Sequence, residues 1–386
     1  MCQHEASQLV ATRRDQSRTR GHLGTGVADD GGGMKQSEYR VLIRGAGELA
    51  SATAQHLFVQ GFESILMLER RYPKAVRRQV CFSEAILDGE TTVQGVRGLF
   101  ARNVPEVEEA NRAGAIAVAA LDLEDVLHKW QPQIFIEAAM LRKNWGLRRG
   151  IAPVVIALGP GYVARKDCDA VVDTVRGPEV GTVLEDTGER LRDEPPAEIM
   201  GYADERAVKA VRDGIFFTQQ KIGAHVDRGE RIGTVVSVYG VEDFRQGVPV
   251  DASYPVTARI SGVLRGLLRD GVPVKKGDRI ADVDPRGRTD DLDHLSDKSL
   301  RVAEGVLEAM LGLIAESKKR GSASKTRGAS KTKRKSPGKS GPARKSAPRP
   351  KTASTASAAK KLPKKSGANS VTKSRKKTSS NSPKKG

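Results

Sequence analysis

A run of β-branched residues that breaks into two glycines and then into helix-forming residues constrains this chain more than any other feature. Residues 41–50 (VLIRGAGELA) predict a strand, a tight turn and the start of a helix. Gly45 allows the turn, Gly47 lets the backbone approach a phosphate, and the small Ala50 lets the helix pack against its strand. The stretch therefore matches the dinucleotide-binding fingerprint Gly-x-Gly-x-x-Ala.

A second predicted strand, residues 64–68, ends in an acid where that fingerprint needs one. Glu69 follows Gly47 by 22 positions, and an acid at this spacing binds the ribose hydroxyls of a dinucleotide. Arg70 and Arg71 leave the choice between NAD and NADP open. The alternative is a well-packed βαβ unit that binds nothing, with Glu69 a solvated strand end. The predicted cofactor is NAD(P) or another nucleotide.

Strand-like and helix-like segments alternate from residue 41 to about residue 158. This alternation predicts an α/β fold with a Rossmann-like doubly wound parallel sheet. Ligands of such sheets collect at the carboxyl ends of the strands, where we expect residues 137–144 and the turn that contains Gly159 and Gly161. Arg176 follows the next strand, and it either clamps an anionic ligand or is an ordinary surface charge.

Cysteine usage points to a reduced protein with one candidate reactive thiol. Cys2, Cys81 and Cys168 are far apart and form no C-x-x-C pair, so we predict neither a disulfide framework nor a metal site. Arg77 and Arg78 precede Cys81, and two neighbouring guanidinium groups would lower the pKa of its thiol and attract an anion. The alternative is a small buried hydrophobic residue.

The chain repeats itself between residues 211 and 283. Six residues recur 48 positions later: Gly214, Gly223, Val226, Gly229, Ile232 and Val235 return as Gly262, Gly271, Val274, Gly277, Ile280 and Val283. Short strands broken by glycine turns and duplicated at this size predict a small β barrel-sandwich hybrid, similar to biotinyl and lipoyl carrier domains. No lysine lies between Ile232 and Arg259, so we expect neither biotin nor lipoate.

The positive charge of the chain is concentrated at one end. The formal charge is +19, yet residues 317–386 hold 24 of the 66 basic residues and no acid, whereas the rest pairs 42 basic residues with 47 acidic ones. A segment this rich in Lys, Ser, Ala and Pro is predicted to be a disordered tail. Its role is either to bind nucleic acid or another polyanion without sequence specificity, or only to keep the protein soluble. No apolar run is long enough for a membrane span, and we expect a cytoplasmic protein.

These observations predict six regions. They are a disordered extension (1–37), a Rossmann-like nucleotide-binding domain (38–192), a linker (193–210), the barrel-sandwich hybrid (211–294), a C-terminal helix (295–316) and the disordered basic tail (317–386).

Long motifs in the body resemble one family, the YqeB-type accessory proteins of the selenium-dependent molybdenum hydroxylase system. The matching stretches are residues 41–50, 75–85 (AVRRQVCFSEA), 154–162 (VVIALGPGY), 170–181 (AVVDTVRGPEVG), 260–287 (ISGVLRGLLRDGVPVKKGDRIADVDPRG) and 296–311. The resemblance covers roughly residues 38 to 312. Members of that family usually carry Asn and His near the positions of Val175 and Pro178, and an additional Gly where this chain has Met200.

The resemblance implies a maturation factor for a molybdenum hydroxylase such as a xanthine dehydrogenase relative. In that role Gly45, Gly47 and Glu69 would hold the nucleotide, and Cys81 would handle sulfur or selenium. The partner would be the hydroxylase or its maturation machinery, and the oligomeric state stays open. Two alternatives are an NAD(P)-dependent oxidoreductase acting on a small molecule and nucleic-acid binding through the tail. Against the oxidoreductase, none of the six histidines lies beside a predicted strand end, where it could transfer a proton.

Overall fold

The computed structural model of the protein describes residues 34–141, 143–184, 197–238, 245–246 and 253–329, with side chains described as far as residue 319. Residues 1–33, predicted to be disordered, lie outside this part of the chain. So does most of the predicted basic tail, from residue 330 onwards.

Nine strands form the first sheet. They are β1 (Arg40–Arg44), β2 (Ser64–Leu68), β3 (Glu90–Val93), β4 (Val96–Ala101), β5 (Ile116–Ala119), β6 (Ile134–Glu137), β7 (Val154–Leu158), β8 (Ala170–Val172) and β9 (Val183–Leu184). Their order in the sheet is β3-β4-β5-β2-β1-β6-β7-β8-β9. The seven inner strands run parallel, whereas β3 and β9 are antiparallel to their neighbours.

Helices cover both faces of this sheet. They are α1 (Glu48–Val59), α2 (Ala85–Asp88), α3 (Val104–Arg112), α4 (Leu123–Trp130) and α5 (Asp297–Ala329). One core joins Ile43 and its neighbours to α1 and to Val306 and Met310 of α5. The opposite core joins Leu42 to α3 and α4 through Val107 and Trp130. Because side chains alternate along a strand, adjacent residues of β1 lie in different cores.

The C-terminal helix is longer than the sequence predicts. It continues to Ala329, beyond the predicted boundary at residue 316. Its apolar face packs on α1 and on strands β7, β8 and β9 of the sheet. The helix is therefore one layer of the protein body.

Eight further strands form two antiparallel sheets. The strands are β10 (Ala207–Lys209), β11 (Gly214–Phe217), β12 (His225–Val226), β13 (Arg231–Val236), β14 (Ser253–Thr257), β15 (Gly262–Leu267), β16 (Val272–Val274) and β17 (Arg279–Asp284). The two sheets have the orders β10-β17-β15-β12 and β14-β13-β11-β16 and enclose one core. β10 lies in the stretch predicted to be a linker.

The internal repeat has a structural counterpart. A Cβ atom added at Gly214 would lie 2.3 Å from the carbonyl oxygen of Val236, and one at Gly262 would lie 2.4 Å from that of Asp284. The two pairs are separated by the same 48 positions. Close backbone approach therefore explains why glycine recurs in both halves.

The predicted fold class, a Rossmann-like doubly wound parallel sheet followed by a biotinyl/lipoyl-like barrel-sandwich hybrid, is wrong. The first sheet is mixed, and the second region consists of two separate four-stranded antiparallel sheets. The prediction of a parallel sheet fails in the irregular stretch after β2. There Gln94 and Gly95 both have positive φ and form a two-residue hairpin turn between β3 and β4. Such a turn forces an antiparallel edge.

The two regions pack directly on each other. The amide of Leu267 donates to the carbonyl of Val76 across 2.7 Å, and a Cβ at Gly266 would lie 3.1 Å from the Val76 backbone. Arg269 reaches across to Asp88 with two hydrogen bonds of 2.5 and 2.6 Å. Backbone and charge contacts thus hold the smaller sheets against the loop that follows β2.

Acid should weaken this contact. The hydrogen bond from Arg269 is the largest cause that holds the pKa of Asp88 below its ordinary value. Its stabilisation is therefore present above the unfolded-state pKa, about 4, and is lost as the pH falls through the folded-state pKa. Between pH 5 and pH 3 we expect the free energy of unfolding of the wild type to fall by up to about 1 kcal/mol more than that of Asp88→Asn. The difference is small because the pair is partly exposed. Urea denaturation at each pH measures this.

The matched control for this experiment is Asp125→Asn. Asp125 pairs with Lys129 on the surface of α4, where both side chains are more than half exposed, and it takes no part in the contact between the regions. We expect this variant to follow the wild type. Equal acid sensitivity of the wild type and Asp88→Asn would contradict the assignment.

Candidate functional site

The carboxyl edge of the nine-stranded sheet contains a point where the strand order reverses. After β1 the chain builds β2 and β5 on one side, and β6 then lies on the other side of β1. The chain that leaves β1 enters α1, and the chain that leaves β6 passes beside it at Ala138. In α/β sheets ligands bind outside the carboxyl ends of the strands at such a reversal of strand order. We therefore take this edge as the candidate site.

The glycine turn lies at this point and has the predicted local structure of strand, turn and helix. Gly45 has φ +109°, and a Cβ on it would lie 2.9 Å from the carbonyl oxygen of Ala138. Glycine is thus required there for both conformation and space. Gly47 is the N-cap residue of α1, and no atom lies within 4 Å of a Cβ built on it. Ala50, a residue of α1, is buried in the core that the helix shares with β1. The backbone at Gly47 is consequently open to a ligand.

Glu69 lies against the same turn. Its Oε2 accepts a hydrogen bond of 3.0 Å from the amide of Ala46, and its Oε1 accepts one of 2.8 Å from the amide of Arg70. The structure therefore brings together the glycines and the acid that the sequence singled out. The same carboxylate also holds the turn in place without a ligand.

The first turn of α1 carries a compensated negative charge. The Glu48 carboxylate accepts a hydrogen bond of 2.6 Å from Arg77 Nη1 and one of 2.7 Å from the Ser296 hydroxyl. Arg77 Nη2 also donates to the carbonyl of His294 across 2.8 Å. An acid at this end of a helix is favoured by the helix dipole. These contacts tie the α1 end to the segment before α5.

Arg77 and Arg78, predicted to attract an anion, both have protein partners. Arg77 is 6% exposed and binds the groups just described. Arg78 Nε donates to the carbonyl of Leu267 across 2.8 Å, and its Nη1 lies 3.0 Å from Glu84. Through these contacts both side chains join the two regions of the protein, while Arg77 Nε is buried without a hydrogen-bond partner among the described residues.

Cys81 does not have the low pKa that its arginine neighbours suggest. The residue is 1% exposed, and its Sγ donates to the carbonyl of Arg77. Burial raises the pKa of the thiol well above its ordinary value, and Glu48 and Glu84 add to the rise more than Arg77 opposes it. The predicted direction of the pKa shift is wrong because the thiol is buried, and because the neighbouring guanidinium groups are paired with carboxylates and carbonyls. The alternative interpretation, a small buried hydrophobic residue, fits the structure.

Gly159 and Gly161 lie at the same edge of the sheet, in the turn after β7, and both have positive φ. A Cβ at Gly159 would lie 2.7 Å from the hydroxyl oxygen of Thr174 and 3.0 Å from Cε of Met140. Met140 follows the segment that touches Gly45, so the two glycine turns flank one loop. Arg176 is exposed on the loop after β8, and its anion-binding role stays a prediction.

The positions at which this chain departs from the resembling family lie at turns and loops. Met200 has φ +53°, in the left-handed region that favours glycine, and it is 69% exposed. The Pro178 carbonyl accepts a hydrogen bond of 2.6 Å from Arg301 of α5, and the Val175 amide donates to Asp173. The backbone at position 200 would therefore favour the glycine that the resemblance implies there.

Sequence reasoning placed residues 137–144 at this edge but missed that Glu137 forms a buried polar cluster with Arg44 and Tyr162. Arg44 ends β1 and forms an ion pair with Glu137, which ends β6. Glu137 is fully buried and Tyr162 is 1% exposed. Burial raises the pKa of both groups. The available signal was a charged residue closing each of two otherwise apolar strands, VLIR and IFIE.

Two further classes of site are not found in the described part of the chain. Among those residues, no group of three or more His, Cys, Asp or Glu side chains is arranged to hold a metal ion. In the same residues no helix combines the length and the apolar character that crossing a membrane requires.

Solved structures similar to this chain share little of its geometry. A succinylglutamate desuccinylase/aspartoacylase from Rhodobacter sphaeroides is 23% identical, covers 24% of this chain and 30% of its own, and has a TM-score of 0.18. The ectoine utilization protein EutE (DoeB) from Ruegeria pomeroyi is 14% identical over 57% of this chain and 84% of its own, with a TM-score of 0.21. An aspartoacylase family protein from Mesorhizobium loti is 12% identical over 64% and 85%, with a TM-score of 0.21. Scores this low carry no argument about activity.

Sequence comparison is more informative. No protein-family model matches the chain. The Escherichia coli (strain K12) protein described as "Uncharacterized protein YqeB" is 36% identical over 274 residues, which are 71% of this chain and 48% of that protein. This chain thus spans about half the length of the curated relative that it matches. Over that shared length the chain belongs to the YqeB family.

Proposed function

We propose that the protein binds a nucleotide beside Gly47 and acts as an accessory factor in the maturation of a molybdenum hydroxylase. One observation carries the binding half of the proposal. The N-terminus of α1 has open space at Gly47, at the point where the strand order reverses, with the Glu69 carboxylate beside it. Backbone amides at a helix N-terminus are suited to phosphate groups.

The nucleotide is NAD(P) or another nucleotide whose ribose offers at least one hydroxyl group to Glu69. Glu69 Oε2 already accepts from the Ala46 amide, and a carboxylate has further acceptor positions for hydroxyl donors. Arg70 lies 3.4 Å from Glu69, so it offers a positive charge to a 2′-phosphate if NADP is the ligand. The negative charge of Glu48, which would repel a phosphate, is offset by Arg77.

The process half of the proposal comes from the family. The chain shares 36% identity with YqeB over 71% of its length, and its motifs resemble the accessory proteins of the selenium-dependent molybdenum hydroxylase system. The hydroxylase partner, such as a xanthine dehydrogenase relative, is therefore inferred from that resemblance. We do not assign sulfur or selenium transfer to Cys81, because its thiol is buried and its pKa is raised.

Gly47→Val is the variant that tests nucleotide binding most sharply. Because no atom lies within 4 Å of the added Cβ, we expect the protein to remain folded, whereas the side chain would occupy the space beside the turn. Titration calorimetry with NAD and with NADP should show binding by the full chain and at least a tenfold loss, about 1.4 kcal/mol, in the variant.

Gly312→Ala is the matched control, because Gly312 also has open space at its Cβ position but lies on α5. It should bind as the wild type does. Binding of neither dinucleotide by the wild type, with no nucleotide released from the purified protein on denaturation, would refute the proposal. Equal nucleotide affinities of the wild type and Gly47→Val would refute the placement of the nucleotide beside Gly47.

The partner is tested in cells that make a molybdenum hydroxylase. We expect the hydroxylase to have several-fold lower specific activity when the chain is deleted or replaced by Gly47→Val, at an unchanged amount of hydroxylase protein. Full activity without the chain would exclude the maturation role. It would leave the nucleotide site to be explained by the alternative of an NAD(P)-dependent oxidoreductase.

A further inference from the structure

The cluster of Arg44, Glu137 and Tyr162 lies on the face of the sheet opposite α1. Arg44 and Glu137 are register partners on the adjacent strands β1 and β6. Two residues earlier, Leu42 and Phe135 belong to the core that contains Tyr162. Side chains two apart share one face of a strand, so Arg44 and Glu137 lie on the face of the sheet against which Tyr162, in the turn after β7, also packs.

This cluster contains more hydrogen-bond donors than protein acceptors. Of the two Glu137 oxygens, Oε1 accepts from the Ala139 amide across 3.0 Å and Oε2 pairs with Arg44. Arg44 Nε is buried without a hydrogen-bond partner among the described residues, and the buried Tyr162 hydroxyl has no partner there other than Arg44 itself. Buried donors without an acceptor cost free energy, and a ligand acceptor would remove that cost.

The cluster is reached through Arg44. Its side chain is 20% exposed, whereas that of Glu137 is fully buried behind it. The chain that leaves β6 over this edge is not helical from residue 138 to residue 141 or from residue 143 to residue 150. A ligand that approaches this edge of the sheet would meet the guanidinium group first, because the Glu137 carboxylate that pairs with it is fully buried.

We infer that Arg44 and Tyr162 bind an oxyanion, the phosphate or carboxylate group of a ligand, and that Glu137 is the positioning residue for Arg44. A guanidinium group offers paired N–H donors to either oxyanion, and the tyrosine hydroxyl adds a third. This site goes beyond the proposed nucleotide site, because it lies on the other face of the sheet.

The test uses the full chain with inorganic phosphate and with acetate, each compared with chloride at equal ionic strength. We expect a saturable rise of the thermal unfolding midpoint with at least one of the two anions. Stabilisation by phosphate alone identifies a phosphate ester, and stabilisation by acetate alone identifies a carboxylate. The absence of a saturable effect from either anion would overturn the inference.

Two variants separate binding from structure. Tyr162→Phe removes one hydroxyl and keeps the ring, and it should weaken the anion by about 3-fold to 10-fold, the effect of one hydrogen bond. The matched control is Tyr39→Phe, because Tyr39 lies before the opposite end of β1. It should leave the anion affinity unchanged.

The second variant combines Arg44→Met with Glu137→Met. Replacing a buried ion pair by apolar residues of similar volume is often neutral for folding, so this protein should fold and lose the saturable effect. An unchanged anion effect in this variant would overturn the inference. Gly47→Val should keep the anion effect, so failure of the nucleotide proposal would be distinguishable from failure of this one.

Discussion

Gly305→Ala is expected to destabilise the protein by about 3 kcal/mol or more. A Cβ at Gly305 would lie 1.9 Å from the carbonyl oxygen of Gly181 and 2.9 Å from the carbonyl carbon of the same residue. Both groups are backbone, so the conflict is relieved only if α5 moves away from the β8–β9 connection. That movement would also disturb Arg301, which donates to the carbonyls of Gly177 and Pro178.

The control lies on the same helix. Gly312 is exposed and has open space at its Cβ position, so Gly312→Ala should stabilise the protein by about 0.5–1 kcal/mol through helix propensity. Urea denaturation of both variants measures the contrast. If Gly305→Ala unfolds at the same or a higher urea concentration than the wild type, α5 does not pack on the sheet as described.

Glu137→Ala is expected to cost about 3 kcal/mol of unfolding free energy. The substitution leaves the Arg44 guanidinium, which is 20% exposed, without its counter-ion. It also removes the acceptor of the Ala139 amide, which lies beside the glycine turn. We therefore expect a lower urea midpoint, and a local loosening that hydrogen exchange of the Ala139 amide would detect.

Glu90→Ala provides the comparison for this prediction. Glu90 pairs with Arg97 on the edge hairpin, and both side chains are more than half exposed. Its loss should change the unfolding free energy by no more than about 0.5 kcal/mol. Equal effects of the two alanine variants would mean that the buried pair does not contribute to stability, and would weaken the inference of an oxyanion site at Arg44.

The local structure around the glycine turn could be predicted from the sequence because short-range rules decide it. An apolar β-branched run predicts β1, and Gly45 predicts a turn that only glycine can make. Glu69 could be placed near the turn because parallel neighbours β1 and β2 end at the same edge. The repeat also has a short-range cause, since Gly214 and Gly262 each meet a backbone carbonyl.

The properties of the charged residues could not be predicted in this way. Arg77 and Cys81 are neighbours in sequence, yet the pKa of the thiol is governed by burial and by Glu48, which approaches from α1. The cluster joins Arg44 to Glu137 and Tyr162, which lie 93 and 118 positions further along the chain. Distances of this kind depend on which strands become neighbours.

The sequence by itself determined the strand, turn and helix at residues 41–50, the repeat of 48 residues and the YqeB resemblance, because each depends on local conformation or on motif order. Only the tertiary structure decided that the sheet is mixed, that α5 forms one of its layers, that Arg77 and Arg78 join the two regions, and that Arg44 is paired in a buried site. Strand order and burial are set by packing over the whole chain, and no short stretch of residues encodes them.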